Sequence, residues 1–123
     1  MSRKIFLDAF FNQFLSFLSE LKEMYPEDPE FPGFVTALTL IRNTNPMLAV
    51  NYIKTEIVDP YQEKILARDE SFFMEQDYTQ KNADMNVIYK LKEYVREMTP
   101  GSKEVVWQYI ELLVKLCVKV LDN

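Results

Sequence analysis

The stretch Lys103–Leu121, KEVVWQYIELLVKLCVKVL, decides the fold of this chain. Its polar residues form one line, at spacings of four, three, four and four: Glu104, Gln108, Glu111, Lys115 and Lys119. These spacings follow the turn of an α-helix, and apolar residues occupy the rest of its circumference. A helix with so narrow a polar stripe is covered on most sides, so we expect this one to lie at the centre of a bundle.

The composition favours the same architecture for the rest of the chain. With 123 residues and 48% hydrophobic residues, the chain is long enough for one domain over residues 1–123. It contains only 2 glycines, which argues against tight β-hairpin turns. We therefore predict an all-α fold, a single irregular bundle of five to six helices in which the C-terminal helix is central.

The first predicted helix spans Ile5 to Tyr25 and is unusually apolar. Its polar residues form one stripe, and phenylalanines and leucines fill a wider arc than a surface helix needs. This helix is expected to be contacted from two sides. The segment YPEDPEFPG (Tyr25–Gly33), with three prolines and three acids, then predicts an exposed connection.

The middle of the chain contains two helix-start signals. After a short helix over about Pro32–Arg42, Asn45 and Pro46 have the residue types of an N-cap and a first helical position. Asp59 and Pro60 repeat this signal and predict a break or sharp kink, followed by a short helix over roughly 60–68. A single proline-kinked helix is the competing interpretation, since an apolar residue recurs every four positions across the proline.

A fifth helix is predicted from a cap at Asn82 or Asp84 to about Met98, and Thr99 and its neighbours cap the last helix. Lysines and arginines on this fifth helix alternate with acids, a pattern typical of a solvated face rather than a nucleic-acid surface. On a helical wheel, Lys92 and Arg96 align while Lys90 lies apart.

The segment DESFFMEQDY (Asp69–Tyr78) has three possible roles: a partner anchor, an ion site or a strap over the core. The acids lack the spacing and the glycine of a calcium loop, which weakens the ion site. The strap is favoured, with at least one of Phe72 and Phe73 buried. Aromatic residues of this region are nevertheless the candidates for an interaction surface: Phe72, Phe73, Tyr78, Tyr89 and Tyr94.

The residue inventory argues against catalysis. The chain has no histidine, and its one cysteine, Cys117, lies on the apolar side of the last helix. We therefore expect no enzyme activity, no catalytic residue, no metal and no cofactor. A net charge of −5 disfavours nucleic acid, and charged residues interrupt every apolar run that could span a membrane.

Three segments together resemble small uncharacterised helical proteins encoded by large DNA viruses of algae and protists. They are NTNPMLAVNYI (Asn43–Ile53), DESFF (Asp69–Phe73) and SKEVVWQYIELL (Ser102–Leu113). The resemblance implies a cytoplasmic protein, either in the host cytoplasm or associated with the virion, and it implies no activity.

Two functions follow from these observations as hypotheses. The first is a non-catalytic protein-interaction or structural module, binding a protein partner or forming a homodimer, because the apolar surface exceeds what a small bundle can bury. The alternative is a helical bundle that binds a hydrophobic small molecule or lipid between phenylalanine-rich walls.

Overall fold

The computed structural model describes residues 2–74 and 87–122, and every regular element in these ranges is helical. In chain order the elements are α1 (Ser2–Met24), α2 (Glu30–Thr44), α3 (Pro46–Ile53), a π-helical segment (Lys54–Val58), α4 (Asp59–Leu66), α5 (Ser71–Met74), α6 (Val87–Val95) and α7 (Pro100–Leu121). The prediction of an all-α bundle is confirmed.

Helix α7 is the central element, as its narrow polar stripe predicts. It packs against α1, α3, the π-helical segment and α4. It runs antiparallel to α1, since Tyr109 contacts Glu20 near one end of the pair and Lys119 lies over the Phe6 ring near the other. Thr99 caps its start, where the side-chain oxygen accepts a hydrogen bond from the Ser102 N–H at 3.2 Å.

Helix α1 is contacted from two sides, by α2 and by α7, so its wide apolar arc is used within the bundle. Phe10, Phe11 and Phe14 are at most 1% exposed and pack edge to face. In the described ranges the exposed large hydrophobic residues each lie on a different helix: Ile5, Leu40, Leu48, Leu66 and Leu112. The apolar surplus expected from the sequence is therefore core rather than an exposed face of α1.

The chain stays helical through Asp59 and Pro60, so the predicted break is wrong and the single-helix alternative is right. Asp59 has helical dihedral angles instead of those of an N-cap, and its N–H donates to the carbonyl of Lys54, five residues back. Proline cannot donate a backbone hydrogen bond, and its ring crowds the preceding turn. The wider π-helical turn just before Pro60 accommodates both effects.

The DESFF segment packs onto the core as a strap. The side chains of Phe72 and Phe73 are 0% and 2% exposed, and the Phe73 ring lies 4.6 Å from that of Trp107. The prediction that at least one of the two is buried is confirmed. The segment also contains the short helix α5, which periodicity did not indicate, and Asp69 Oδ1 caps it by accepting from the Ser71 N–H at 3.0 Å.

Helix α6 is described from Val87, so the predicted caps Asn82 and Asp84 lie outside the described residues. Its face toward the core carries Leu91 and Val95, which are 0% and 1% exposed. Lys92 is also buried, with its ammonium 4.7 Å from the ring centre of Tyr61. The expectation that the basic residues of this helix are all solvated is wrong for Lys92, because aromatic rings cover its side chain.

Candidate functional site

A cleft of about 530 Å³ opens where the end of α1, the loop to α2, and α6 meet. Residues 24–30 form one wall, and Lys90 and Tyr94 of α6 form the other. The loop exists because Pro26 and Pro29 stop the helical pattern, and an Asp28 side-chain oxygen caps the start of α2 by accepting from the Glu30 N–H at 2.9 Å. A volume of this size is within the range of ligand-binding clefts.

Asp28 is the hub of the cleft. Its side chain is 8% exposed, and one oxygen accepts hydrogen bonds from the Tyr94 hydroxyl and from Lys90 Nζ, the latter at 2.9 Å. Lys90 Nζ also lies 3.0 Å from a carboxylate oxygen of Glu30. The network joins α6 to the loop and satisfies the buried carboxylate, as burial of a charge requires.

The network fixes the charges of its members. Burial alone would raise the pKa of Asp28, but hydrogen bonds from Tyr94, Lys90 and the Glu30 N–H outweigh it, and the pKa lies below its ordinary value. Burial likewise opposes the charge of Lys90, yet its two carboxylate partners raise its pKa. The hydrogen bond to Asp28 raises the pKa of the Tyr94 hydroxyl. Near neutral pH, Asp28 is therefore an ionised structural group and not a base with a proton to exchange.

Two of the residues that line the cleft, Tyr25 and Tyr94, form its aromatic base, and the buried Phe31 packs against them. Tyr25 and Tyr94 stack with their ring centres 3.9 Å apart, and Phe31 lies 5.9 Å from Tyr94. Burial, together with the nearby carboxylate of Glu97, raises the pKa of the Tyr25 hydroxyl. Stacked rings are stiff and bury a large area, which suits a contact surface.

The rim of the cleft carries negative charge that the protein does not neutralise. Glu27 lines the cleft, and Glu97 lies next to it, with its N–H donating to the carbonyl of Tyr94 at 3.1 Å. Both acids are exposed, and within the two described ranges neither has an ion-pair partner. Among the described residues that line the cleft, Lys90 is the one cation, and Asp28 and Glu30 both contact it. The cleft is therefore aromatic at its base and acidic at its rim.

The chain matches no protein-family model. It also has no significant match among curated proteins or among solved structures. The resemblance to viral proteins thus stays a prediction, and any argument about function rests on the geometry of the chain itself.

The sequence-predicted interaction residues have different fates. Phe72 and Phe73 are core residues that a partner could not reach without opening the bundle, which corrects their place in the candidate surface. Tyr94 lies in the cleft. Tyr78 and the side chain of Tyr89 lie outside the described part of the chain.

The sequence did not indicate that Asp28, Lys90 and Tyr25 act together. Asp28 belongs to a loop whose acids all suggested solvent, and Lys90 lies far along the chain. The one available signal was the position of Lys90 on the helical wheel, apart from Lys92 and Arg96, which places it toward a different neighbour.

Neither a metal-ligand cluster nor an exposed thiol is present among the described residues. Within them, no three histidine, cysteine, aspartate or glutamate side chains are grouped as a metal site would require. Cys117 is buried, donates its S–H to the carbonyl of Val50 at 3.4 Å, and burial raises its pKa to about 11. Such a thiol is inert, because the thiolate is the reactive form.

None of the described helices is long and apolar enough to cross a membrane.

Proposed function

We propose that this chain is a non-catalytic protein-interaction module, which receives a partner protein in the cleft between the α1–α2 loop and α6. The observation that carries the proposal is an open cleft in which Asp28 ties the loop to α6 by hydrogen bonds, while Glu27 on its rim has no ion-pair partner among the described residues. A cytoplasmic location forms part of the proposal, because a single buried thiol suits a reducing compartment.

The rigidity of the cleft supports binding. Pro26 and Pro29 restrict the loop, and Asp28 links it to α6 through the hydroxyl of Tyr94 and the ammonium of Lys90. A surface that is already ordered loses little conformational entropy when a partner arrives. The aromatic pair at the base supplies the kind of stiff, amphipathic area found at interface hot spots.

The openness of the cleft favours a polypeptide over a hydrophobic small molecule or lipid. Ligand sites of the latter kind enclose most of the ligand within apolar walls. Here the cleft opens onto the surface, and carboxylates and an ammonium line part of it. A second copy of the chain remains the other candidate occupant, since a homodimer would place the same patch on both subunits.

Site-specific photo-crosslinking tests the proposal. A photoreactive amino acid is placed at Glu27, on the rim of the cleft, and in a matched variant at Glu63, an exposed position on α4 outside the cleft. In an extract of the cell that expresses the protein, we expect a discrete cross-linked species from the Glu27 position and none from the Glu63 position. Mass spectrometry then identifies the partner and the residues that it contributes.

Light scattering during size-exclusion chromatography distinguishes the two kinds of occupant. A dimer that cross-links through the Glu27 position would identify a second copy, and a monomer that cross-links there to another protein would identify a distinct partner. A strict monomer that gives no cross-link from the cleft, or the same cross-links from both positions, would contradict the proposed function.

A further inference from the structure

We infer that the segment received by the cleft is cationic: an extended stretch of the partner that carries arginine or lysine. The inference rests on the proposed function and specifies the chemistry of the partner.

The charge of the cleft favours a cationic partner. Asp28 and Glu30 are paired with Lys90, whereas neither Glu27 nor Glu97 forms an ion pair with a described residue. An anionic or apolar segment entering here would bring like charges together or leave the rim carboxylates desolvated without a partner. A cationic segment would instead gain ion pairs and approach faster through electrostatic steering.

The aromatic base specifies the geometry of that contact. The stacked rings of Tyr25 and Tyr94 line the cleft together with Glu27. The Glu97 N–H donates to the carbonyl of Tyr94 at 3.1 Å, which places Glu97 close to the same rings. A guanidinium can lie against an aromatic ring while its N–H groups bond a carboxylate. Lys90 makes cation–π contacts of this kind within the protein, since its ammonium lies 6.0 Å from the ring centres of both Phe31 and Tyr94.

Four cations of α1 and α7 lie away from the cleft. Because α1 and α7 are antiparallel, Arg3 and Lys4 lie at the same end as Lys115 and Lys119. The cleft is at the other end of α1.

Fluorescence anisotropy of the whole chain with two peptides tests the inference. One labelled peptide alternates arginine with serine, and in the other every arginine is replaced by citrulline, which has the same shape without the charge. We expect the arginine peptide to bind and the citrulline peptide to bind at least about tenfold more weakly. Because surface ion pairs are screened by salt, the affinity should also fall between about 50 mM and about 500 mM NaCl.

The protein variants locate the binding. The double variant Glu27→Gln/Glu97→Gln keeps the size of both side chains and removes both rim charges, so it should weaken the arginine peptide about three- to tenfold. Glu63→Gln makes the same chemical change outside the cleft and should have no effect. Circular dichroism verifies that all variants are folded.

Several outcomes would overturn the inference. Equal binding of both peptides, no binding of the arginine peptide, or an equal effect of Glu63→Gln would each do so. A cross-linked partner segment without basic residues would leave the proposed function intact and refute only the cationic chemistry. A dimer that the rim double variant dissociates would assign the cleft to a second copy, and absence of any cross-link would refute both proposals.

Discussion

Arg68 is held in an unusual backbone conformation. It has a φ of 53°, in the left-handed region that favours glycine, and the N–H of Arg68 and of Asp69 close the end of α4 onto the carbonyls of Ile65 and Lys64. Its guanidinium compensates by bonding Glu104 and Glu111 of α7, both at 2.6 Å. The side chain thus joins the end of α4 to the central helix from a strained position.

Substitution of Arg68 separates the backbone from the side chain. Arg68→Ala and Arg68→Gly both remove the two ion pairs, but only glycine also removes the Cβ that disfavours a positive φ. We expect Arg68→Gly to have a higher melting temperature than Arg68→Ala when thermal unfolding is followed by circular dichroism. The difference in melting temperature between the native chain and Arg68→Ala should become smaller at high salt, because salt screens the ion pairs that the variant lacks. An alanine variant as stable as the glycine variant would show that the turn carries no strain.

Asp28 gives a pH dependence whose sign can be derived. Its pKa in the folded chain lies below the ordinary value of 3.8. The stabilisation is therefore present above about pH 4, and it is lost as the pH falls through the lower folded-state pKa. Asp28→Asn keeps the shape but loses the charge, so it should lower the free energy of unfolding by about 2 kcal/mol near neutral pH.

Chemical denaturation over a range of pH measures the effect. The difference in free energy of unfolding between the native chain and Asp28→Asn should be constant from neutrality to about pH 5, and it should become smaller below about pH 4. Glu63→Gln, at an exposed carboxylate, should show no such convergence. A gap that persists unchanged in acid would mean that ionised Asp28 does not stabilise the fold.

Among the elements, α5 provides the test of the strap. Phe72 lies 5.1 Å from the Tyr61 ring and 5.0 Å from that of Phe73, and the ammonium of Lys92 lies 4.6 Å from its ring centre. Truncating a buried phenylalanine removes its transfer free energy and leaves a cavity, so Phe72→Ala should cost about 3–5 kcal/mol in urea denaturation. Leu66→Ala, at a residue that is 49% exposed, should cost less than about 1 kcal/mol. Equal costs would place the segment outside the core.

The helices were predictable because periodicity reports burial directly. The apolar residues of α1 and α7 repeat with the helical turn, and the caps at Thr99 and Asn45 have the expected residue types. The break predicted at Pro60 was wrong because the N-cap signal depends only on neighbouring residues in the chain. Ile57 and Ile65, on either side of the proline, are 3% and 0% exposed. A continuous helix keeps both residues buried on one face. The chain therefore accommodates Pro60 with a π-helical turn and does not break the helix.

The cleft was not predictable, because it exists only in the folded molecule. Asp28 and Tyr94 are 66 residues apart in the chain, and nothing local to either specifies the other. The sequence indicated aromatic residues as an interaction surface but could not separate Phe72 and Phe73, which became core, from Tyr94, which lines the cleft. A net charge of −5 likewise says nothing of the antiparallel packing of α1 and α7, which places Arg3 and Lys4 at the same end as Lys115 and Lys119.

For the molecule as a whole, Cys117 is a probe of opening. Its thiol lies at the contact of α7 with α3, is 0% exposed, and burial raises its pKa to about 11. At pH 8 such a group is thiolate in only about one molecule in a thousand, and a reagent must first reach it. Because the surrounding helices share one core, we expect access only when the bundle unfolds.

Labelling with a chromogenic disulfide reagent at pH 8 checks this expectation. The native chain should react slowly, and the dependence of the rate on denaturant should give the free energy of unfolding measured by circular dichroism. In a Cys117→Ala background, Gln108→Cys places a thiol at an exposed position of the same helix and should react at once. Fast labelling of the native chain would instead show that α7 separates from α3 without global unfolding.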